Sequence, residues 1–327
     1  MPSRVLNMRT FLLLLFSFAA TALAGYQPPQ PSQEVAILRE TLHDDARHRD
    51  VPVKIYCPGE GSGPWPVIIF SHGLGGSREG YEYLGRYWAG CGYVSVHVQH
   101  AGSDESIWKG LPPAQIKSVF SKAAHDPFVA VERTKDIPFV IDELTRLNAD
   151  KNSPLACRLD LKHIGMSGHS FGGWSTMVAV GQSLALPGTS FADSRIRAAI
   201  QMSGPTPKNL AAAKFPAITT PLFHMTGTLD DSPIGDTDAA QRRIPFDEMT
   251  SPSTCLLTFN GADHMTFSGR RNSGAEDAKF HRLICQASTA WWDAWLRGDA
   301  KAKTWFYDGG FARLLGSGGT FETKAAP

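Results

Sequence analysis

The chain has 327 residues, of which 42% are hydrophobic and 19% are charged, a composition typical of a globular protein with a sizeable core. Its 32 lysine and arginine residues nearly balance its 31 aspartate and glutamate residues. This balance argues against the basic surface of a nucleic-acid-binding protein and against a polybasic membrane-binding patch. We therefore expect neither a nucleic-acid partner nor stable membrane insertion.

The N-terminal segment has the pattern of a secretory signal peptide. Arg4 and Arg9 supply positive charge, residues 11–20 form an apolar run, and residues 21–24 end in the A-x-A pattern that precedes cleavage. The apolar run is shorter than the roughly 20 residues that span a bilayer, which disfavours an uncleaved anchor. We predict an exported protein, periplasmic or secreted, from which residues 1–24 are removed.

The five cysteines bear on the redox state of such an exported chain. An odd number leaves at least one thiol unpaired, and the sequence does not fix the pairing. We favour a disulfide between Cys255 and Cys285, because a late strand and the last long helix are expected to be neighbours. No C-x-x-C motif occurs, so a zinc site or a thioredoxin-like site has little support.

Short apolar strands alternate with helical segments along most of the chain. Residues 35–43 and 49–57 alternate in polarity and predict an antiparallel pair. The later predicted strands are residues 67–70, 93–98, 161–169, 197–202, 221–226 and 255–259. The predicted helices are residues 81–89, 129–147, 171–181, 209–214 and 275–296. This order predicts a single α/β domain over residues 25–327, with a mostly parallel central sheet covered by helices on both faces.

Three stretches interrupt this regular pattern. Residues 104–128 have mixed polarity without a clear period, and we interpret them as a lid-like insertion over the mouth of the site. Pro138, inside the helical pattern that follows, predicts a kink or a helix start. The tail from Gly298 predicts a short helix and a glycine-rich end.

A strand-to-helix turn at residues 164–173 contains the G-x-S-x-G pattern of a nucleophile elbow. Gly168 and Gly172 flank Ser170, with an apolar strand before them and helix-compatible residues after them. Small residues at these two positions let strand and helix pass close together, which lifts the central serine clear of the sheet. Ser170 is therefore the predicted nucleophile, as opposed to a residue in an ordinary glycine-rich turn.

A serine hydroxyl needs a base to take its proton, and that base needs an orienting acid. In this type of fold the triad follows the chain order serine, acid, histidine. Only two histidines follow the strand that would carry the acid. His264 lies in a loop directly after a strand and is the predicted base, whereas His281 lies within a helix among charged neighbours and is predicted to be structural.

The acid is expected after the strand at residues 221–226. Asp230 and Asp231 both lie there, and the usual position after a strand's carboxyl end favours Asp230, with Asp231 as the alternative. The aspartate that does not orient the base is expected to brace the loop.

Two backbone N–H groups are expected to stabilise the oxyanion of the tetrahedral intermediate. One belongs to Phe171, which follows the nucleophile. The other is assigned to Leu74, because the glycines of residues 71–76 let N–H groups face the site. His72 is expected to brace this loop, and His100 either lines the pocket or is a structural histidine.

Four motifs together resemble the α/β-hydrolase superfamily: residues 70–75 (FSHGLG), 168–173 (GHSFGG), 227–230 (GTLD) and 263–264 (DH). The branch they resemble contains dienelactone hydrolase-like proteins and platelet-activating factor acetylhydrolases, and the first two motifs are most similar to the acetylhydrolases. Dienelactone hydrolases use a cysteine nucleophile, whereas this chain has Ser170, which favours ester hydrolysis by a serine. The resemblance implies no cofactor and no metal, and a small-molecule or lipid-like ester as substrate.

These observations predict a serine hydrolase that cleaves carboxylic esters through an acyl-enzyme. The alternatives are a peptidase or amidase with the same triad and, less favoured, a non-catalytic binding protein on a hydrolase scaffold. The sequence does not define the acyl chain or the oligomeric state. Five aromatic residues are candidates for an apolar acyl pocket or for simple packing: Trp108, Phe120, Phe128, Trp174 and Phe267.

Overall fold

The computed structural model of the protein describes residues 25–184, 190–207, 209–251, 253–269 and 275–324. Their strands form one nine-stranded sheet: β1 (Val35–Asp44), β2 (Arg49–Pro58), β3 (Trp65–Ser71), β4 (Val94–Val98), β5 (Leu159–His169), β6 (Ile196–Met202), β7 (Leu222–Leu229), β8 (Thr254–Asp263) and β9 (Gly319–Thr323). The spatial order is β1-β2-β4-β3-β5-β6-β7-β8-β9. Neighbours from β4 to β8 pair in parallel, while β1, β2 and β9 are antiparallel to their neighbours. This is the predicted α/β-hydrolase fold.

The helices cover both faces of this sheet. Their bounds are α1 (Glu82–Gly90), α2 (Pro113–Ala124), α3 (Pro127–Ala149), α4 (Phe171–Ala179), α5 (Leu210–Ala213), α6 (Ile244–Glu248), α7 (Ala275–Trp295), α8 (Ala300–Tyr307) and α9 (Gly310–Leu315). Side chains of β3 alternate between the two cores. Ile68 and Phe70 pack with α1 and α7, whereas Val67 and Ile69 pack with α3 and α4. A strand that is buried on both faces reads as a continuous apolar run, which explains why β3 was recognisable in the sequence.

The interrupted region after β4 differs from its prediction in detail. Residues 113–124 form helix α2 within the predicted insertion, yet only Ala123 among its side chains is buried. Its apolar side chains nevertheless recur at helical spacing, a pattern that the interpretation of this stretch as aperiodic missed: Ile116, Val119, Phe120 and Ala123. Helix α3 begins at Pro127, capped by the Asp126 side chain, and continues through Pro138. Pro138 is therefore not a helix start.

The C-terminal segment completes one edge of the sheet. The predicted short helix is present as α8 and is followed by α9. The glycine-rich end was not predicted to form a strand, but residues 319–323 pair antiparallel with β8 as strand β9.

The expected disulfide does not form. All five cysteines are free, and four of them are buried, including Cys255 and Cys285. Cys255 on β8 has a side-chain hydrogen bond with Tyr307 of α8. Cys285 on α7 instead lies 4.0 Å from the carbonyl oxygen of Tyr83 in α1. The strand and the helix share a core, as expected, but the two thiols face different neighbours within it.

Two further points concern the predicted signal peptide and the expected absence of a membrane-spanning segment. The predicted signal peptide lies outside the described residues. Within the described part of the chain, the structure contains no helix with the length and apolar character required to cross a bilayer.

Candidate active site

Ser170 lies at the predicted elbow between β5 and α4. Its backbone angles, φ 55° and ψ −119°, fall in a region that residues with a side chain rarely adopt. A Cβ atom at Gly172 would overlap the carbonyl oxygen of Ser71, and one at Gly168 would overlap the carbonyl oxygen of Gly172. The Ser170 N–H donates to the Met202 carbonyl at 2.8 Å, which fixes the turn against β6. The two glycines are thus required by close approach of the strand, the helix and the loop after β3.

Parallel strands β7 and β8 bring the other two predicted residues to the same end of the sheet. Leu229 lies opposite Asp263 in the register, so the residues that follow them, Asp230 and His264, are neighbours. Ser170 Oγ is 2.9 Å from His264 Nε2, and His264 Nδ1 is 2.8 Å from Asp230 Oδ1. A carboxylate accepts the Nδ1–H, which leaves Nε2 as the acceptor for the serine proton. The chain thus has a hydrogen-bonded Ser–His–Asp row, which we call the pocket row.

Asp230, and not Asp231, is the aspartate that contacts the histidine. Asp230 is fully buried and its second carboxylate oxygen accepts from Thr226 Oγ1 at 2.8 Å. Asp231 is exposed and accepts from the Ala239 N–H at 2.9 Å. Asp231 therefore braces the loop, the role expected for the residue that does not orient the base.

Arg242 is a further contact of the pocket row that the sequence did not indicate. Its side chain is 1% exposed, and its Nε lies 3.5 Å from Asp230 Oδ1 and donates to the Asp230 carbonyl at 3.0 Å. A second donation, to the Ser203 carbonyl at 2.8 Å, joins this arginine to the turn after β6. Burial lowers the pKa of Arg242, and the charge of Asp230 opposes that effect. The Arg242 guanidinium therefore holds Asp230 in position through contacts that no sequence motif indicates.

The two predicted oxyanion donors remain available to a ligand. Around Leu74, the Gly73 N–H donates to Tyr81 Oη, the Gly75 N–H to the Ser103 carbonyl, and the Gly76 N–H back to Gly73. Across the described ranges, neither the Leu74 N–H nor the Phe171 N–H donates a hydrogen bond. Both residues line the same cavity as Ser170. Two uncommitted N–H groups beside a serine oxygen can bind a developing oxyanion.

The cavity in front of Ser170 has a volume of about 550 Å³. Its other walls come mainly from apolar residues, among them Trp174, Leu210, Ile234 and Ile244. Of the five candidate aromatics, only Trp174 lines it. Phe120 and Trp108 pack on Gly75, Phe267 is fully buried, and Phe128 is 70% exposed. The lid-like segment nevertheless reaches the cavity through Ala124 and His125.

Three other histidines have structural contacts. His72 Nδ1 lies 2.7 Å from the Gly73 carbonyl, and its Nε2 accepts from the His100 N–H at 3.1 Å, so His72 braces the loop as expected. His281 contacts the Thr266 carbonyl through Nε2 at 2.9 Å and stacks on Tyr83, away from the pocket row. His169, inside the elbow motif, contacts the His264 carbonyl through Nε2 at 2.9 Å.

His100 belongs to a second Ser–His–Asp row, which we call the buried row. Ser71 Oγ is 2.9 Å from His100 Nε2, and His100 Nδ1 is 2.9 Å from Asp136 Oδ2. Arg49 also binds Asp136, with its Nη2 at 2.9 Å from the carboxylate. Burial, followed by the charge of Arg133, lowers the pKa of His100 to about 4. His100 is therefore a neutral structural histidine, and it does not line the pocket.

No metal centre is evident in the parts of the chain that can be described. No group of three or more histidine, cysteine, aspartate or glutamate side chains is arranged there to hold a metal ion.

Comparison with models of protein families gives a match to part of the chain. Residues 35–111 match the sequence model of the family described as platelet-activating factor acetylhydrolase, isoform II. This segment runs from β1 through the loop that carries Leu74, and it ends before Ser170. No curated protein shows significant similarity to the chain. The match and the nine-stranded sheet confirm the resemblance of this chain to the platelet-activating factor acetylhydrolase-like branch of the α/β hydrolases.

Proposed function

We propose that the protein is a serine-dependent carboxylic ester hydrolase. The observation that carries this proposal is the pocket row, in which Ser170 Oγ is 2.9 Å from His264 Nε2 at the wall of an apolar cavity. A nucleophile, a base and an oriented acid in this geometry are the requirements for acyl transfer through a serine. The family match supports ester hydrolysis in general, because the family is described as an acetylhydrolase.

The proposed reaction has two halves. His264 Nε2 takes the Ser170 proton while Ser170 Oγ attacks the ester carbonyl carbon. The Leu74 and Phe171 N–H groups stabilise the resulting oxyanion, and Asp230 stabilises the imidazolium. The carbon–oxygen bond to the alcohol then breaks, and the alcohol leaves with the proton from His264.

The second half releases the acid. A water molecule gives a proton to His264 and its oxygen attacks the acyl carbon on Ser170. The second tetrahedral intermediate collapses, the carboxylic acid departs, and the proton on His264 returns to Ser170. This cycle consumes one ester and one water and regenerates the enzyme without a cofactor.

We also propose, on the basis of the predicted signal peptide, that the protein acts outside the cytoplasm. Substrates would then be esters that reach the periplasm or the medium, small or lipid-like. Expression of the full chain followed by N-terminal sequencing of the exported protein tests cleavage near Ala24.

The test of the catalytic proposal is Ser170→Ala. We expect kcat for p-nitrophenyl esters to fall by about 10⁶-fold, with loss of covalent labelling by a fluorophosphonate probe. The exposed serine variant Ser317→Ala serves as a control and should keep both activities. Full turnover or full labelling in Ser170→Ala would overturn the proposal.

The peptidase or amidase alternative uses the same triad and needs a separate measurement. Matched p-nitrophenyl esters and p-nitroanilides with the same acyl group should be compared on the unmodified protein. We expect the ester to be cleaved much faster, because its alcohol leaves more readily than an amine. Comparable kcat/KM values for the two would favour the amidase.

A further inference from the structure

Arg133 is a fully buried cation beneath the candidate active site. It comes from α3, and within the described residues its guanidinium donates to uncharged oxygens. Nε donates to Ser175 Oγ, Nη1 to Ser103 Oγ and Nη2 to Ser71 Oγ, each at 2.8 Å. Nη2 also donates to the His72 carbonyl.

Among the described residues, the charge of this arginine has no carboxylate in direct contact. Within the described ranges no carboxylate forms an ion pair with the guanidinium, and Asp136 and Asp104 act on it only at longer range. Burial lowers the pKa of Arg133 to about 9, which keeps the side chain a cation at neutral pH. Burying an unpaired charge costs several kcal/mol of folding free energy. The four hydrogen bonds of Arg133 alone are therefore a weak explanation for a buried arginine at this position.

The location of the guanidinium links the two halves of the oxyanion site. On one side it holds Ser71 and His72, which lead directly into Leu74. On the other side its central carbon lies 4.7 Å from the centroid of the Phe171 ring. One side chain thus contacts the loop that carries one donor and the residue that supplies the other.

Ser175 extends this link into the elbow helix. It lies one turn after Phe171 in α4, where its Oγ donates to the Phe171 carbonyl at 3.0 Å and accepts from Arg133. Displacing the guanidinium would therefore release the oxyanion loop and the first turn of α4 from each other.

We infer that Arg133 is a positioning residue for the oxyanion site. It holds the Leu74 and Phe171 N–H groups at a fixed separation and adds a positive field behind them. This inference rests on the proposed function. Because the oxyanion exists only in the transition state and the tetrahedral intermediate, the effect falls on kcat and leaves substrate binding largely unchanged.

The experiment compares Arg133→Met, Arg133→Lys and a matched control. Arg297 also donates to two backbone carbonyls, of Cys91 and Gly92, and stacks on Tyr93 at 4.1 Å. Unlike Arg133, it also forms an ion pair with Asp293 at 2.9 Å, and its side chain is 35% exposed. It lies on the α7 side of the sheet, away from the cavity, so Arg297→Met controls for the loss of an arginine that binds backbone carbonyls outside the candidate site. For each protein kcat and KM for a p-nitrophenyl ester, Tm, and Ki for an alkyl trifluoromethyl ketone are measured. That inhibitor adds to the serine and forms an oxyanion.

We expect Arg133→Met to lower kcat by about 30- to 100-fold, with KM within about threefold of the unmodified protein. Its Ki for the trifluoromethyl ketone should rise by a similar factor. Arg133→Lys keeps the positive charge but lacks the planar guanidinium and its several N–H donors, so kcat should fall by about three- to tenfold. Arg297→Met should lower Tm without moving kcat or Ki.

Two outcomes would overturn the inference. One is an Arg133→Met protein that folds and keeps kcat and Ki within about twofold. The other is an increase in KM that accounts for the whole loss in kcat/KM, since that would indicate a role in substrate binding. If Arg133→Met does not fold, Arg133→Lys decides, and unchanged kcat and Ki there would also overturn it. Failure of the proposed function is recognised separately, by activity that survives Ser170→Ala.

Discussion

The pocket row and the buried row have the same order of hydrogen bonds but opposite surroundings. In both, the serine oxygen is 2.9 Å from Nε2 of the histidine. In both, an aspartate holds Nδ1, at 2.8 Å in the pocket row and 2.9 Å in the buried row. Hydrogen-bond connectivity therefore does not distinguish a candidate active site from a structural network.

Access and backbone conformation separate the two rows. Ser170 opens on a cavity and has a positive φ, whereas Ser71 is fully buried at the end of a regular strand. The Leu74 and Phe171 N–H groups, which donate no hydrogen bond within the described part of the chain, line the cavity with Ser170. The hydroxyl of Ser71 instead accepts from Arg133, which leaves no place for a substrate.

The charges around the two aspartates also differ. Asp136 binds His100 and the guanidinium groups of Arg47 and Arg49. Burial alone would raise the pKa of Asp136, but these hydrogen bonds and charges outweigh burial and lower it. Among the described residues, Asp230 forms an ion pair with a single arginine, Arg242. The buried row is thus part of a larger ion network that ties β2, β4 and α3 together.

Replacing the two histidines provides the strongest test of this comparison. We expect His264→Gln to lower kcat by about 10⁶-fold, because the serine loses its base. His100→Gln should change kcat by less than about tenfold and should lower the free energy of unfolding by about 1–3 kcal/mol, because buried polar partners lose their hydrogen bonds. Ester hydrolysis and urea unfolding measure the two effects. A large loss of activity in His100→Gln, with its stability intact, would contradict the division between the rows.

Replacing each of the two neighbouring aspartates, Asp230 and Asp231, is expected to give the next largest difference in kcat. Asp230→Asn removes the charge that holds His264 Nδ1–H, and we expect kcat to fall by about 10⁴-fold. Asp231→Asn is the matched control, because that carboxylate is exposed and accepts from the Ala239 N–H of its own loop. We expect its kcat to stay within about twofold. The reverse result would move the acid to Asp231.

The sequence was sufficient to predict those strands and site residues that follow from a local pattern of residue types. Doubly buried strands such as β3 have a continuous apolar run, and the glycines on either side of Ser170 are required by close contact with neighbouring backbone carbonyl groups. Chain order then selected His264, and the position after β7 favoured Asp230. These features could be predicted because each depends on residue type together with local spacing or order along the chain.

Other parts depend on contacts between distant segments and could not be predicted in the same way. Strand β9 has a short, glycine-containing sequence and becomes a strand by pairing with β8. Arg133 and Arg242 reach the site from α3 and from the turn before α6, at no characteristic spacing from Ser170. Likewise, the sequence does not indicate how each thiol is oriented within the shared core, and these orientations separate Cys255 from Cys285.

The smallest expected effect concerns the pH dependence of stability in the buried row. The pKa of His100 is lowered by burial and by Arg133, to about 4 from an ordinary 6.5. Between these values the unfolded chain binds a proton that the folded chain does not, so the free energy of unfolding falls as the pH falls from about 6.5 towards 4. One such histidine contributes a slope of about 1.4 kcal/mol per pH unit.

His100→Gln should therefore flatten the fall in stability between pH 6.5 and pH 5, as measured by urea unfolding at several pH values. His97 and His224 are also buried, with pKa values lowered to about 3, so part of the slope should remain. The exposed His43 is the control. Its hydrogen bond to Asp50 raises its pKa, which contributes stability at low pH, so His43→Gln should not flatten the curve. An unchanged slope in His100→Gln would mean that His100 is protonated in the folded protein. The buried row would then carry a charge that its surroundings were expected to exclude.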